Sequence, residues 1–224
     1  MTSVSVIVPV RNEAPQLADV LASIRRALRV GDELIVVDGG STDGSIDIAE
    51  RLADRLLVSP AGRARQMNAG AAAARGTWLW FVHADTELLP QHRHALETLP
   101  SGALWGRFDV RLSGSRLLFK VIGGLITLRS RLTGIATGDQ AIFVRRDVFD
   151  AQGGFADQPL MEDIALSAAL RQQGRPACLR PVLVTSSRRW QKQGAWKTIW
   201  LMWRLRWRYW RGEDPASLHR DYYG

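Results

Sequence analysis

The chain is poor in features that would place it in an oxidising compartment or across a membrane. Cys178 is the only cysteine among 224 residues, so no intrachain disulfide can form, which suits a reducing cytosol. No stretch reaches the roughly 20 apolar residues of a spanning helix, because lysine, arginine and glycine interrupt residues 117–135. The first ten residues lack a basic segment followed by an apolar run, so we expect no signal peptide and a cytoplasmic protein.

Repeats, low-complexity tracts and linkers are also lacking, and the length suits one large domain or two small ones. The net charge of +8 is unevenly spread. Residues 188–224 hold nine Lys or Arg, three Asp or Glu, and six of the nine tryptophans. This contrast predicts one domain at residues 1–187, followed by a basic, tryptophan-rich helical extension at residues 188–224.

Strand and helix patterns alternate through the first hundred residues. The predicted strands cover residues 3–9, 33–38, 56–59 and 77–82, and the predicted helices cover residues 14–28, 43–53 and 63–75, the last one stopped by Gly76. In the second half, strands are predicted at 105–112, 139–144 and 181–186, and helices at 115–132 and 160–173. Such alternation is typical of an α/β fold with a mostly parallel central sheet.

Acidic residues follow several of these strands. Glu13, Asp38 and Asp85 come after the first, second and fourth strands, whose ends are neighbours in a doubly wound sheet. Asp38 is followed by two glycines and by Asp43, which is placed to cap the next helix. Converging carboxylates favour a crevice that holds a cation or a hydrogen-bonding ligand. An ordinary strand–turn–helix corner is the alternative for Asp38 alone.

Six segments, in this order, resemble the family-2 glycosyltransferases of the GT-A fold. They are VSVIVPVRNEA at residues 4–14, LIVVDGGSTDGS at 34–45, GRARQMNAGAAAARG at 62–76, WFVHADT at 80–86, TGDQAIFVRRDVFDAQGGF at 137–155 and LMEDIALSAAL at 160–170. Residues 83–85, read as HAD, and the ending GEDPASLHRDYYG also resemble a small bacterial subgroup associated with arsenosugar biosynthesis.

The resemblance implies both a fold and an activity. The fold is a Rossmann-like, mixed and mostly parallel sheet flanked by helices, with a C-terminal amphipathic helix. The activity is that of an inverting, metal-dependent glycosyltransferase of the hexosyltransferase type. It would move a sugar from a nucleotide-diphosphate donor, with a UDP-sugar expected, to a hydroxyl of a small-molecule or lipid-linked acceptor.

The same resemblance implies a set of residues for the donor nucleotide: Pro9, Glu13, Asp38, Arg65, Asn68 and Ala84. Asp38 would accept a hydrogen bond from the base, with uracil N3–H expected. Arg63 and Arg65 suit phosphate recognition because a guanidinium group is a planar fork of donors. A solvated helix face is the alternative for this arginine-bearing segment.

Asp85 and His83 take the place of the two acids of the family's metal motif. Asp85 would hold Mg²⁺ or Mn²⁺ against the donor diphosphate, since such cations need only one or two carboxylates besides phosphate oxygens. His83 departs from the pattern, and an imidazole ligand would favour Mn²⁺. Hydrogen bonding to the ribose, or simple packing, is the alternative for His83.

Asp163 is the expected general base, which removes the proton from the acceptor hydroxyl. Glu162 is adjacent, and at a helix start we expect only one of the two carboxylates to face the site. The alternative is that both only complement the helix dipole.

A second set of residues is assigned to the acceptor: Asp139, Gln140, Glu162, Arg189 and Trp190. Asp139 and Gln140 resemble part of the family's acceptor loop, although a turn before a strand would look the same. Arg189 and Trp190 only partly match the Gln-x-x-Arg-Trp signature of processive members, because Gln191 follows them. Processive synthesis is therefore not expected.

Five tryptophans after residue 195 recur at spacings of 4, 3, 4 and 3 residues, which places them within about 80° on a helix. Their flanking Lys and Arg suit the headgroup region of a membrane, here its inner face. A homodimer seam fits the spacing equally well, and so does burial of both helix faces within one monomer.

Other function classes make different demands on the sequence. A sugar nucleotidyltransferase needs a glycine-rich, arginine-bearing loop after the first strand, where this chain has VRNEAPQ. A non-catalytic nucleotide-sugar-binding protein, tethered to a membrane or partner, would be favoured if Asp163 lay far from Asp85. The net charge permits nucleic-acid binding, but no motif supports it and we expect none.

Overall fold

A computed structural model describes residues 2–114, 116–187 and 194–223. The strands in that part of the chain are β1 (Val4–Val10), β2 (Glu33–Asp38), β3 (Arg55–Val58), β4 (Trp78–Phe81), β5 (Thr86–Glu87), β6 (Trp105–Leu112), β7 (Phe143–Arg145) and β8 (Ala177–Thr185). The helices are α1 (Ala14–Ala27), α2 (Ser45–Leu52), α3 (Arg63–Ala73), α4 (Pro90–Glu97), α5 (Leu117–Thr133), α6 (Arg146–Ala151), α7 (Glu162–Gln173), α8 (Ala195–Trp210) and α9 (Pro215–Tyr223).

The eight strands form one mixed sheet in the order β3-β2-β1-β4-β7-β6-β8-β5. The first four strands in this order, β3, β2, β1 and β4, all pair in parallel with one another. The short β7 then runs antiparallel to both β4 and β6, and β8 is parallel to β6. This arrangement confirms the predicted α/β class and brings the ends of β1, β2 and β4 side by side.

Both faces of the sheet are covered, which explains why β1, β2 and β4 have nearly continuous apolar sequences. Val6 and Val8 of β1 pack in one cluster with residues of α1, α2 and α4. Ile7, between them, packs on the opposite face with residues of α3 and α7. Alternate side chains of β1 therefore pack into two separate cores, one on each face of the sheet.

Two predicted element boundaries are wrong for identifiable reasons. Helix α3 ends at Ala73 rather than at Arg75, the residue before Gly76. A Cβ atom at Gly76 would lie 2.6 Å from the backbone nitrogen of Ser5, so this glycine permits a close backbone approach. Strand β8 begins at Ala177, four residues before the predicted start at residue 181. A register shift leaves Pro181 out of the ladder, so the strand can pair on both sides of this proline.

The second half also departs from prediction near residue 139. The strand expected at 139–144 is replaced by a 3-10 turn at Gly138–Gln140, and β7 occupies Phe143–Arg145. The sequence patterns also did not reveal β5, α4 and α9. These elements are short or polar, so they carry little periodic apolar signal.

Helix α8 packs against the rest of the chain through one face only. Leu205 is fully buried and shares a cluster with Leu160 and Met161, which precede α7, and with Leu218 of α9. The five tryptophans of α8 are 56% to 82% exposed, which removes one of the three alternatives, burial of both faces within one monomer. Across the described ranges, none of the helices combines the length and the apolarity needed to cross a membrane.

Candidate active site

The ends of β1, β2 and β4 form one edge where the predicted acidic residues collect. Val10 pairs with Asp38 across β1 and β2, and Ile7 pairs with Phe81 across β1 and β4. Parallel strands in this register direct their following loops to the same edge of the sheet. Because β1 lies between β2 and β4, the loop that contains Glu13 emerges between Asp38 and the loop that contains Asp85.

Asp38 is buried, with 1% of its surface exposed, and its two carboxylate oxygens have different environments. Oδ2 accepts hydrogen bonds from the backbone N–H groups of Gly40 at 2.7 Å and Ser41 at 2.9 Å. Oδ1 is buried and has no hydrogen-bond partner among the residues described. A buried acceptor left unpaired costs about 1–3 kcal/mol, so this atom fits a ligand that supplies an N–H donor.

Asp43 joins the loops that follow β1 and β2. Its Oδ1 accepts the N–H of Ser45, the first residue of α2, at 3.1 Å, and its Oδ2 accepts the N–H of Ala14, the first residue of α1, at 3.0 Å. The N-cap of α2 is Gly44 and not Asp43 as predicted, so Asp43 instead joins the starts of α1 and α2 from one residue further out. Hydrogen bonding by Ser45 and Ala14 lowers the pKa of Asp43.

Pro9 and Glu13 lie at the entrance to this edge. Pro9 is half-buried near the end of β1, and the N–H of Glu13 donates to Ser45 Oγ at 3.0 Å. The side chain of Glu13 accepts a hydrogen bond from the amide of Gln16. The positions agree with a nucleotide pocket, and the donor roles of both residues stay predictions.

The side chains of Arg65 and Asn68, in the first half of α3, contact different partners. Exposed Arg65 forms an ion pair with Asp157, at 2.8 Å from Nε to Oδ1. The amide of Asn68 donates to the carbonyl of Phe155 at 2.8 Å and accepts its N–H at 2.9 Å. Asn68 thus holds the loop at residues 154–155, and its donor contact stays a prediction. Donor binding by Arg65 stays a prediction.

Arg63, the first residue of α3, is the arginine that faces the acidic groups. Its charge acts on His83, and the carboxylates Glu162 and Asp163 act on Arg63 in return. Desolvation opposes the charged form, but Tyr223, Glu162 and Asp163 together raise the pKa of the Arg63 guanidinium. Arg63 is exposed, and its positive charge lies near enough to act on the candidate reaction centre.

The segment 83–85 forms a turn just after β4, in which the N–H of Thr86 donates to the His83 carbonyl at 3.1 Å. Ala84 is buried, and the side chains of His83 and Asp85 are half-buried. Burial, followed by the nearby charge of Arg63, lowers the pKa of the His83 imidazole to about 3. His83 is thus neutral near pH 7, which is the form that can bind a metal.

His83 and Asp163 meet at Gly138. A Cβ atom at Gly138 would lie 2.5 Å from His83 Nε2 and 3.7 Å from Asp163 Oδ2, so a side chain there would collide with the imidazole. The N–H of Gly138 donates to Asp163 Oδ2 at 2.7 Å. The expected general base therefore lies next to the turn that contains Asp85, although the two are far apart in sequence.

Asp163 and Glu162 begin α7 and both line a small cavity together with His83 and Gly138. The expectation that only one of the two carboxylates faces the site is therefore wrong. Asp163 Oδ1 also accepts the N–H of Ile164 at 2.7 Å, which fixes its orientation. Burial first, and the charge of Asp163 second, raise the pKa of Glu162 to about 7.

Three residues other than glycine have positive φ in the described chain, and all three are near this site. They are Asn12 after β1, Ala141 after the 3-10 turn, and Met161 just before Glu162, with φ of 56°, 46° and 67°. Such conformations are unfavourable for side chains with a Cβ and persist where the surrounding structure enforces them. They are consistent with loops whose shape serves a site.

The two residues of the 3-10 turn that are predicted to contact the acceptor have different environments. Gln140 is fully buried, and its amide bonds to Thr137 and to the carbonyl of Phe108. Gln140 therefore holds the turn in place, and its contact with an acceptor stays a prediction. Asp139 is half-buried, and its Oδ1 has no hydrogen-bond partner in the described structure. Burial raises the pKa of Asp139 despite the opposing hydrogen bond from Thr137.

Sequence patterns missed two arginines that lie near Asp139, namely Arg129 of α5 and Arg206 of α8. Burial and then the charge of Arg206 lower the pKa of Arg129 to about 10, while Asp139 and Asp163 oppose the shift. The Nε atom of Arg129 is buried without a hydrogen-bond partner in the described ranges. No local signal identifies either arginine, because each occurs in a helix rich in basic residues.

The available metal ligands are few. In the described residues no three His, Cys, Asp or Glu side chains gather into a metal-binding group. Asp85, with neutral His83 two residues before it, is the donor set that the turn offers. This set fits Mg²⁺ or Mn²⁺ only if the substrate supplies most of the other ligands, which is common when the substrate carries phosphates. Arg189 and Trp190 lie outside the described residues.

Comparison with known proteins gives the family. A family model described as Glycosyl transferase family 2 matches residues 5–150, which include β1 to β7 and the residues that gather at the ends of β1, β2 and β4. The chain belongs to glycosyl transferase family 2. A relative in Mycobacterium bovis, a PGL/p-HBAD biosynthesis glycosyltransferase, is 35% identical over 164 residues, which are 67% of this chain and 62% of that protein.

The same comparison with solved structures gives the fold of this family member. A mannosyltransferase from Pyrobaculum calidifontis, solved with GDP-Man and Mn²⁺, superposes with a TM-score of 0.64 and 24% identity, over 91% of this chain and 60% of the other. Glucosyl-3-phosphoglycerate synthase from Mycobacterium tuberculosis, solved with Mn²⁺ and UDP, gives 0.57 and 21%, over 83% and 70%. The mixed eight-stranded sheet with flanking helices is the GT-A fold of these neighbours.

Proposed function

We propose that this protein is a glycosyltransferase that moves a sugar from a nucleotide diphosphate to an acceptor hydroxyl, with inversion at the anomeric carbon. One observation carries this proposal: Asp163 is held by the N–H of Gly138 beside the turn of His83 and Asp85. A proton acceptor and the candidate diphosphate site are thereby adjacent, as direct displacement requires. A non-catalytic binding protein would not need this arrangement.

The nucleotide binds, in this proposal, at the ends of β1 and β2. The unpaired Oδ1 of Asp38 would accept the N–H of the base, for which uracil is our expectation. Pro9, Glu13 and Ala84 would line the same pocket. The solved neighbours contain UDP in one case and a GDP-sugar in another, so both donors belong in the first screen.

The diphosphate would lie between Arg63 and the turn that contains Asp85. Asp85, with His83 as a possible second ligand, would hold Mn²⁺ or Mg²⁺, and a neutral imidazole favours Mn²⁺. When bound, this metal neutralises charge that develops on the leaving nucleotide diphosphate. Arg63 would stabilise the same charge through hydrogen bonds from its guanidinium group.

Asp163 would act as the general base. Its carboxylate takes the proton of the acceptor hydroxyl while the hydroxyl oxygen attacks the anomeric carbon, and the bond from that carbon to the diphosphate oxygen breaks. The N–H groups of Gly138 and Ile164 fix the carboxylate for this role. Glu162, whose pKa is raised to about 7, would present a carboxyl that can donate a hydrogen bond to the acceptor.

The acceptor would enter from the side of the 3-10 turn. Asp139 retains an unpaired oxygen there, and the like charges of Arg129 and Arg206 repel each other unless an anion lies near them. A negatively charged group of a substrate would satisfy both guanidinium groups. Contacts of Arg189 and Trp190 with the acceptor stay predictions.

Several broader assignments remain predictions as well. These are the cytoplasmic location, with contact at the inner face of the cell membrane, and the division into a domain at 1–187 and an extension at 188–224. The acceptor is a small molecule or a lipid-linked molecule, and the arsenosugar-associated subgroup is one candidate context for it. A membrane contact and a homodimer compete for the exposed tryptophan face of α8.

Titration with a nucleoside diphosphate, with and without Mn²⁺, tests the donor site. We expect Mn²⁺ to tighten binding of UDP or GDP to the wild-type chain. Asp85→Ala should remove that enhancement, because it removes the carboxylate ligand. Glu87→Ala, an exposed carboxylate two residues further on, is the matched control and should leave the enhancement intact. Binding that is equally tight without Mn²⁺ in all three proteins would reject the metal assignment.

A further inference from the structure

Two helices, α5 and α8, carry most of the exposed apolar surface. Ten of the fifteen large hydrophobic side chains that are exposed in the described chain belong to them. On α5 these side chains are 48% to 78% exposed, and they are Leu117, Val121, Leu125, Leu128 and Leu132. On α8 they are the five tryptophans Trp196, Trp200, Trp203, Trp207 and Trp210.

The apolar residues of α5 form a stripe that faces away from the sheet. Their spacings of 4, 4, 3 and 4 residues put them on one side of the helix. The opposite side lies on β6, where a Cβ atom at Gly123 would come within 2.9 Å of the Val110 carbonyl oxygen. The stripe therefore lies on the solvent side of α5 and is not part of the core.

The two stripes adjoin each other. Leu118 of α5 and Ile199 of α8 pack in the same small cluster, around Phe119 and Ile122. At about 100° per residue, Leu118 borders the leucine stripe of α5, and Ile199 borders the tryptophan stripe of α8. The helices thus meet along the sides that border the two stripes. The leucine stripe of α5 and the tryptophan stripe of α8 therefore form one continuous leucine–tryptophan surface.

The charge of these helices has a single sign. Neither α5 nor α8 contains an acidic residue. Of their seven cationic side chains, Arg131, Arg204 and Arg208 form ion pairs with acidic residues of neighbouring segments, and Arg129 and Arg206 lie near Asp139, so the border of the surface depends on Lys120 and Lys197. The guanidinium of Arg204 lies 4.9 Å from the ring centre of Trp200. Lys120 and Lys197 are exposed. The leucine–tryptophan surface is accordingly apolar with a cationic border.

We propose that the leucine–tryptophan surface of α5 and α8 binds the interfacial region of an anionic lipid bilayer. Tryptophan is favoured at headgroup depth, leucine can reach the acyl boundary, and the exposed lysines attract anionic headgroups. A second copy of the chain is the weaker occupant, because it would bring two cationic surfaces together. The proposal concerns binding alone, so it stands or falls independently of glycosyl transfer.

Flotation of the full chain with lipid vesicles tests this surface. We expect binding to vesicles of phosphatidylcholine mixed with phosphatidylglycerol, weaker binding to phosphatidylcholine alone, and loss of binding at high salt. Trp200→Ala combined with Trp203→Ala should reduce binding about tenfold or more. Leu125→Gln combined with Leu128→Gln should reduce it as well, because both helices contribute.

The matched control is Val30→Gln, which changes a fully exposed valine remote from both helices in sequence and should float like the wild type. Circular dichroism establishes that each variant is folded. Failure of the wild type to float would overturn the proposal. So would flotation that the leucine variant leaves unchanged, since α8 would then act alone. A dimer detected by sedimentation, dissociated by the same variants and without flotation, would identify a second copy as the occupant.

Discussion

The proposed donor edge, at the ends of β1, β2 and β4, and the proposed acceptor side, at the 3-10 turn and the start of α7, are built in different ways. On the donor edge, Glu13, Asp38 and Asp85 follow three parallel strands that are neighbours in the sheet. On the acceptor side, Asp139 and Asp163 come from a 3-10 turn and a helix start, after the sheet has become mixed. The first group is organised by strand order, and the second is organised by packing between distant segments.

This difference separates what the two sides contribute to the proposed chemistry. The donor edge offers an unpaired buried acceptor at Asp38, whose geometry depends on the loop that directly follows its own strand. The acceptor side offers Asp163, whose geometry depends on Gly138, 25 residues away. Changes on the donor edge should therefore act on nucleotide binding, and changes on the acceptor side should act on turnover.

Asp163→Asn should have the largest effect. Turnover should fall by about 10²–10⁴, because the amide cannot take the proton of the acceptor hydroxyl. Binding of the nucleoside diphosphate, measured by calorimetry, should be unchanged. Asp150→Asn, an exposed carboxylate on α6, is the control for the same chemical change. Retained turnover in Asp163→Asn would remove Asp163 as the base.

Asp38→Asn should show the opposite pattern. The amide oxygen can still accept the N–H groups of Gly40 and Ser41, but its NH₂ group would face the N–H of the base. The affinity for UDP should fall about 10–100-fold, as expected for loss of a hydrogen bond to a charged group. Asp47→Asn, on the exposed side of α2, should bind normally. An unchanged UDP affinity would contradict base recognition by Asp38.

Arg129→Gln sharpens the boundary between the two sides. If Arg129 holds a negatively charged group of the acceptor, the acceptor KM should rise about tenfold while UDP affinity stays constant. Arg131→Gln is the control: Arg131 is on the same helix as Arg129, and its substitution breaks an ion pair with Asp109 of β6. A loss of UDP affinity in Arg129→Gln would instead assign this guanidinium to the donor diphosphate.

Glu162→Gln should have the smallest effect, and that effect depends on pH. The folded-state pKa of about 7 lies above the ordinary value of 4.5, so folding takes up a proton between these values. The stability contributed by the protonated group is present below pH 4.5 and is lost as pH rises through 7. The variant should therefore melt about 2–4 °C higher than wild type at pH 8, for a difference on the order of 1 kcal/mol. At pH 4 the two should melt alike, and a constant difference would contradict the shift.

The limits of sequence interpretation follow the same division. Asp38 was found because an apolar strand that ends in a carboxylate and two glycines is a local pattern. The burial of Gln140 against Phe108 cannot be seen in a local pattern, because it depends on a strand 32 residues earlier. Arg129 and Arg206 were missed because two helices must pack together before either arginine approaches Asp139. Local patterns report strand ends well and report inter-helix contacts poorly.

The sequence by itself determined the α/β class, the order of strands and helices from β1 to β4, and the family motifs from which the donor edge is proposed. Those properties depend on periodicity and on residues close together in the chain. Only the tertiary structure decided that Asp163 and His83 meet at Gly138, that both acidic residues of α7 line one cavity, and that the tryptophans of α8 face outward beside the leucines of α5. These depend on which faces of distant elements pack together, and a single helix or strand cannot specify its partner.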